Sequence, residues 1–190
     1  MREQLKTFLQ QIHLVADDIL DDYLLHWQEY RVPRKTIITN KGEVQKHAYF
    51  VLEGMQKSYY LHEGKEHIIA FTYHPSFSGI PESFFTQLPS NYFLQTITDS
   101  KFLRVSFETH QQMMERHRSI ETLMRKATEH LLAGVIERHY ELMAFDIKTR
   151  FRNFASRSPH LLNLLSQKDI ASYLRIDPTN LSKLINQVRL

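Results

Sequence analysis

SQKDIASYLRIDPTNLSKLINQVR, Ser166 to Arg189, reads as two short amphipathic helices joined by a tight turn. In the first, Ile170, Ala171 and Leu174 recur at helical spacing, and Ala171 is small where two helices would cross closely. In the second, Leu181, Leu184, Ile185 and Val188 form the apolar face. Asp177 offers a capping oxygen and Pro178 takes the first helical position, where a missing N–H costs nothing. The second helix then shows Thr179, Asn180, Ser182, Lys183, Asn186 and Gln187, short donors and acceptors of the kind that reads a major groove. This is the layout expected of a helix-turn-helix. The competing reading is an ordinary helical hairpin closing a small bundle.

Charge distribution points the same way. Residues 146–190 hold eight Lys and Arg against three Asp, and the remaining residues carry a net −2. A basic tail on a mildly acidic body suits a nucleic-acid module on a non-binding platform. With 42% hydrophobic and 24% charged residues, the composition is that of a globular protein, not a disordered one. No run approaches the roughly 20 apolar residues of a membrane helix, and MREQLKTFLQQIH lacks a signal-peptide core. The absence of cysteine excludes disulfides, thiolate metal sites and a cysteine nucleophile. These features predict a cytoplasmic protein without a membrane partner.

Upstream, residues 3–28 have helical periodicity (Leu5, Phe8, Leu9, Ile12; Ile19, Tyr23, Leu24, Trp27), with a second start at Asp17-Asp18. From Tyr30 to about Ser106, short β-branched and aromatic runs alternate with turn signals, which predicts a small antiparallel barrel or jelly roll. Asn40-Lys41-Gly42, Glu53-Gly54 and Glu63-Gly64-Lys65 sit where hairpin turns are expected. FSGIPESFFTQLPS, residues 77–90, is an inserted loop with a helical turn, where a barrel would hold a small ligand. Phe77, Phe84, Phe85, Tyr92 and Phe93 could line such a pocket or fill the core. Residues 119–144 then form one helix of roughly 37 Å, too long for a single small domain. Ile120, Leu123, Ala127, Leu131 and Gly134 mark the expected contact line with a second copy, the alternative being a core helix of one bundle.

The order of helices, β-roll with inserted loop, long helix and basic helix-turn-helix resembles the Crp/Fnr family of bacterial transcription regulators. QKDIASYLRIDPTNLSKL (167–184) is similar to the family's two DNA-reading helices, and AYFVLEGMQKSYY (48–60) to its strand-turn-strand. RFRNFASRSPHLLNLLSQKDIASYL (150–174) resembles the shorter members common in Bacteroidetes. The resemblance implies an α+β fold: a cyclic-nucleotide-binding-like jelly roll in a sensor domain (1–118), a connecting dimerisation helix (119–145) and a helix-turn-helix domain (146–190). It implies a homodimer on a twofold-related double-stranded DNA site, with RNA polymerase a further partner, and no enzymatic activity. Thr179, Asn180, Ser182, Lys183 and Asn186 would meet bases. Lys168, Arg175 and Arg189 would meet phosphates, and Asp177, at the start of the reading helix, would complete the DNA-binding set.

Departures from the family bear on the effector. Members that bind cyclic AMP carry Gly-Glu-Leu in the inserted loop and an Arg-Ser pair ten residues past the Glu. Gly79 matches, but Ile80-Pro81 and Ser90-Asn91 stand in the other positions, and an unpaired phosphate would lose its charge-assisted bonds. Phe77, Gly79, Ile80, Glu82, Ser90 and Asn91 therefore outline an effector pocket that speaks against cyclic AMP, and no cofactor is expected. The turn position that is usually Gly is Arg175, which predicts a turn avoiding positive φ. Two rivals remain: a sensor or interaction module with a non-binding helix-turn-helix, and a metal-dependent cupin-like enzyme. The histidines give the latter little, since His62 and His67 are five apart while His47 and His74 stand alone, so no metal is expected.

Overall fold

The computed structural model describes residues 1–187. Helices α1 (Arg2–Ile12) and α2 (Asp17–Leu25) precede eight strands: β1 (Gln28–Val32), β2 (Ile37–Thr39), β3 (His47–Glu53), β4 (Met55–His62), β5 (Lys65–Tyr73), β6 (Ser76–Ser78), β7 (Phe93–Thr96) and β8 (Ser100–Ser106). A short helix, α3 (Pro81–Thr86), lies between β6 and β7. Then come α4 (Phe107–Arg116), α5 (Arg118–Ala144), α6 (Ile147–Arg157), α7 (Leu161–Leu164), α8 (Gln167–Leu174) and α9 (Pro178–Gln187). The strands form two antiparallel sheets, β1-β8-β3-β6 and β2-β7-β4-β5, facing each other as a jelly roll. The fold is α+β, an N-terminal jelly roll with flanking and C-terminal helices.

Strand β3 shows how the layers arise. Four consecutive residues, Tyr49 to Leu52, are buried, so both faces of the strand are covered. Phe50 and Leu52 point outward and pack with Leu5, Leu9, Leu20, Tyr23, Trp27, Leu103 and Val105 under the N-terminal helices. Tyr49 and Val51 point inward with Val32, Phe102, Ile80 and Leu94, filling the space between the sheets. The period of two along the strand produces both cores from one run of apolar residues.

The glycine turns differ from the hairpins expected. Only Glu63-Gly64 closes a hairpin, between paired β4 and β5. Gly42 and Gly54 instead carry the chain from one sheet to the other, since β2 and β3, and β3 and β4, lie in opposite sheets. At Gly54 φ is +87°, and an added Cβ would stand 2.4 Å from the Asp99 carbonyl oxygen, so no side chain fits.

Helix α5 runs 27 residues, about 40 Å. Ile120 and Leu123, expected on a dimer contact, are instead fully buried in their own chain's core, because the first turns of α5 pack on α1 and α4. Ala127 is half-buried, whereas Leu131 and Gly134 are exposed. From there on the helix leaves Leu132, Val135, Ile136, Tyr140 and Met143 exposed as well.

His110 on α4 is buried, its Nδ1 2.8 Å from the Tyr23 hydroxyl and its ring 5.6 Å from Phe84. Burial lowers its pKa to about 4. The unfolded chain takes up this proton below about 6.5, and the folded chain only near 4, so acidification favours unfolding across that window. Stability contributed by neutral His110 is complete above pH 6.5. About 3 kcal/mol of it is lost by pH 4. Urea unfolding of wild type and His110→Gln at pH 7 and pH 4.5 checks this, with the variant expected to show the shallower fall.

Candidate functional site

Helices α8 and α9 are built from local signals. Ser166 caps α8, its Oγ accepting from the Asp169 N–H at 3.1 Å and donating to Asp169 Oδ2 at 2.8 Å. Asp177 caps α9, its Oδ1 accepting from the Thr179 N–H at 2.9 Å. Ile170, Ala171 and Leu174 of α8 and Leu181 and Leu184 of α9 are buried together. The opposite face of α9 presents Thr179, Asn180, Lys183 and Asn186 to solvent, with Ser182 half-buried. Asp177 and Lys168 are exposed close by, while Arg189 lies outside the described residues.

Between the helices, Arg175 has φ +55°, the left-handed conformation that its side chain was expected to avoid. The Ile176 N–H donates to the Ala171 carbonyl at 3.0 Å, and Ile176 is buried against the helix pair. This closure demands a left-handed residue just past the helix end, whatever its side chain. Arg175 is held there from outside. Its Nη2 donates to the Tyr60 hydroxyl at 2.8 Å, and its Nη1 lies 3.1 Å from His67 Nδ1. A residue expected at DNA phosphate therefore grips the jelly roll.

The rest of the C-terminal unit docks on the same sheet. The Ile68 N–H donates to Ser172 Oγ at 3.0 Å, and that hydroxyl donates to the Glu66 carbonyl at 2.9 Å. Lys57 Nζ pairs with Glu66 at 2.5 Å and Asp169 at 3.4 Å. Met55, Phe71, Tyr73 and Ile97 continue the apolar cluster of Phe151, Phe154, Leu161 and Leu174. Two of the basic residues that made the tail positive serve structure. Arg157 donates twice to the buried Glu141 carboxylate, both at 2.9 Å, and Arg150 donates to the Leu174 carbonyl at 2.8 Å.

The residues expected to outline an effector pocket lie in different surroundings. Phe77 points away from the interior, packing with Phe8, Phe50 and Trp27 under α1 and α2. The α3 segment, residues 76–91, carries no Lys or Arg. Gln45 fills the junction before α3. Its Oε1 accepts from the Ile80 N–H at 2.8 Å, its Nε2 donates to the His47 carbonyl at 3.1 Å, and a Cβ on Gly79 would stand 2.3 Å from that nitrogen. Ser90 is buried, its hydroxyl accepting from the Tyr92 N–H at 2.9 Å. Glu82, its carboxyl pKa raised by partial desolvation, and Asn91 are both exposed. The segment thus offers a phosphate no guanidinium, and the N–H of Ile80, the residue that caps α3, is already taken by Gln45. Of the remaining aromatics, Phe85 is exposed, Phe84 packs edge-on to Phe107, and Phe93 stacks on Tyr59 at 5.0 Å.

A polar cluster unmarked in the sequence occupies the inner face of the other sheet. Arg104 stacks on Tyr30 beside Tyr49 and His47. Only strand register, pairing Arg104 with Tyr49 and Gln28, reveals that they share a face. Among the described residues, no three or more His, Asp or Glu stand close enough to hold a metal.

Residues 29–117 match the family described as the cyclic nucleotide-binding domain. No curated protein matches the chain in sequence. Among solved structures, the chain is similar to FixK2 from Bradyrhizobium japonicum (18% identity, covering 85% of this chain and 83% of that one, TM-score 0.74). It is also similar to the catabolite activator protein of Thermus thermophilus (16%, 93% and 84%, 0.59). A third, from Xanthomonas campestris, is CLP, described as a c-di-GMP-responsive global regulator linking cell–cell signalling to virulence gene expression (16%, 90% and 91%, 0.65). At these identities the likeness is one of fold.

The turn between α8 and α9 separates backbone from side-chain effects. Arg175→Ala keeps the left-handed strain and loses the bonds to Tyr60 and His67, whereas Arg175→Gly loses the bonds and the strain. The glycine variant is expected to be the more stable of the two by about 1 kcal/mol, measured by urea denaturation.

Proposed function

We propose that the chain is a DNA-binding transcription regulator of the Crp/Fnr kind, a homodimer whose sensor roll does not answer to cyclic AMP. The observation that carries the reading is α9: a buried Leu181–Leu184 face, backed by solvent-facing Thr179, Asn180, Lys183 and Asn186. Such a helix can enter a major groove with its N-terminal half while α8 holds it from behind. The likeness to CLP, a global regulator, and to the Thermus catabolite activator, together with the match over residues 29–117, supports a regulator over an enzyme. The exposed apolar side of α5, Leu132, Val135, Ile136, Tyr140 and Met143 around Gly134, is where a second copy would pack. Against cyclic AMP stands the α3 segment without a cation. A second reading, a sensor whose helix pair does not bind DNA, is favoured by one observation, the engagement of Arg175 by Tyr60 and His67.

Asn180→Ala is expected to cost about 1–3 kcal/mol on the preferred operator and little on random DNA. Lys168→Ala should weaken both alike and reduce the salt dependence by about one unit per half-site. Mobility shifts across a salt series on selected genomic fragments measure these effects. Unchanged operator binding in both variants hands the case to the second reading.

Ile136→Glu should convert the dimer to a folded monomer in sedimentation equilibrium, since it charges an exposed apolar face. Leu123→Ala should instead lower the stability of each protomer by about 2–5 kcal/mol, because Leu123 is a core residue.

A further inference from the structure

Arg104 is an unusual residue for the inner face of a jelly roll. It lies on β8 directly across from Tyr49 of β3 and Gln28 of β1, so all three side chains share the sheet's inner face, with Gln28 exposed at its end. Its guanidinium carbon sits 4.0 Å over the Tyr30 ring. Its Nε is buried without a hydrogen-bond partner. The carboxylate closest along β1, Glu29, is engaged by Arg31 and Lys101 on the opposite face of the same strands. A half-buried guanidinium thus sits over an aromatic ring and is given no anion by the described residues.

Its surroundings are donors. Tyr49 is buried, its ring 6.0 Å from Tyr30 and 6.2 Å from His47. Burial pushes the Tyr49 hydroxyl up to about 12, with Tyr30 adding to the effect, so it remains a donor at any physiological pH. Burial, with the charge of Arg104, holds His47 below the usual histidine range, against the opposing pull of Glu108. Lys46 and Glu108, both exposed, are the flanking charges. Tyr30, His47 and Arg104 are only half-buried, so the cluster opens to solvent where β1 and β3 begin.

We propose that Arg104, with Tyr30, Tyr49 and His47, forms a binding site for a compact anion, a carboxylate or a phosphate, at this end of the jelly roll. Arg104 supplies a forked pair of donors and is backed by the Tyr30 ring at 4.0 Å. Tyr49 adds a neutral donor, and His47 becomes a further donor once the incoming negative charge favours its protonated form. The site is distinct from the α3 segment, which offers no cation. As the sensor of the proposed regulator it rests on that reading for its purpose, though its chemistry stands without it.

The test uses the full chain at constant ionic strength, titrated with sodium acetate and, separately, sodium phosphate in calorimetry, while NMR follows the His47 Cε1 proton. Saturable one-site binding of either anion is expected, the more strongly bound one naming the chemistry. Arg104→Gln should weaken it at least tenfold and Arg31→Gln, on the opposite face, less than twofold. The bound anion should shift the His47 resonance and raise its titration midpoint. No saturable binding of either anion, or equal binding in wild type and Arg104→Gln, overturns the site. If Arg104→Gln fails to fold by circular dichroism, Tyr49→Phe decides: binding weakened threefold or more supports the site, and unchanged binding overturns it. Operator binding is measured on the same preparations. Loss of the anion site with operator binding intact removes this inference alone, while anion binding without operator binding removes only the regulator.

Discussion

Strand β5 is an outer edge of its sheet, and its outward peptide groups need partners that no further strand supplies. Ser172 meets the need with one hydroxyl, accepting from the Ile68 N–H and donating to the Glu66 carbonyl as a neighbouring strand would. This fixes α8 along the edge. The position of α8 in turn sets the Lys57–Asp169 pair and brings Tyr173 to 5.1 Å from Phe71. With α8 in place, the outer face of the sheet (Met55, Phe71, Tyr73, Ile97) becomes part of the core of the C-terminal helices. The jelly roll and the helix pair thereby share one apolar cluster. Since α9 packs on α8 through Leu181 and Leu184, its polar row is left to solvent.

Helix α5 shows the same logic along its length. Its first turns are core, with Ile120 and Leu123 fully buried, and a later turn holds Arg138 over the Tyr173 ring at 3.7 Å. Near its end, Glu141 is buried and would be costly as a lone carboxylate, but Arg157 of α6 supplies a bidentate partner. One helix thus ties the N-terminal core to the C-terminal unit. The apolar residues between these anchors face solvent in the single chain, which is an expensive arrangement over several residues unless another surface covers them.

Much of this was legible from residues alone. Apolar spacing placed the N-terminal helices, the strand-rich middle, the α3 insertion, the long helix and the final pair, because periodicity reports which face of an element is apolar. It does not report which neighbour covers that face. Ile120 and Leu123 have the same spacing as Leu131, yet the former meet α1 and α4 and the latter meets solvent. Gly42 and Gly54 signalled turns correctly, but not that the turns cross between sheets. Counting Arg150 and Arg157 as free charge missed their acceptors, which lie 24 and 16 residues away in sequence. Arg104 carried no signal in a strand where alternation predicts an apolar inward position, and only register put it beside Tyr30 and Tyr49.

The departure at Arg175 links these observations. A left-handed arginine costs about 1–2 kcal/mol relative to glycine at the same place, and its hydrogen bonds offset that cost only while Tyr60 and His67 stay in position. Tyr60 stacks with His67 at 4.9 Å and stands 6.4 Å from Tyr92. Tyr92 packs on the interior cluster that holds Tyr30 and Tyr49. Four side chains therefore lead from the inside of the jelly roll to the turn that orients α9. Contiguity by itself is not coupling. The strained residue supplies the physical handle, because a shift of Tyr60 weakens the bonding that compensates its conformation and so changes the energy of the turn between α8 and α9.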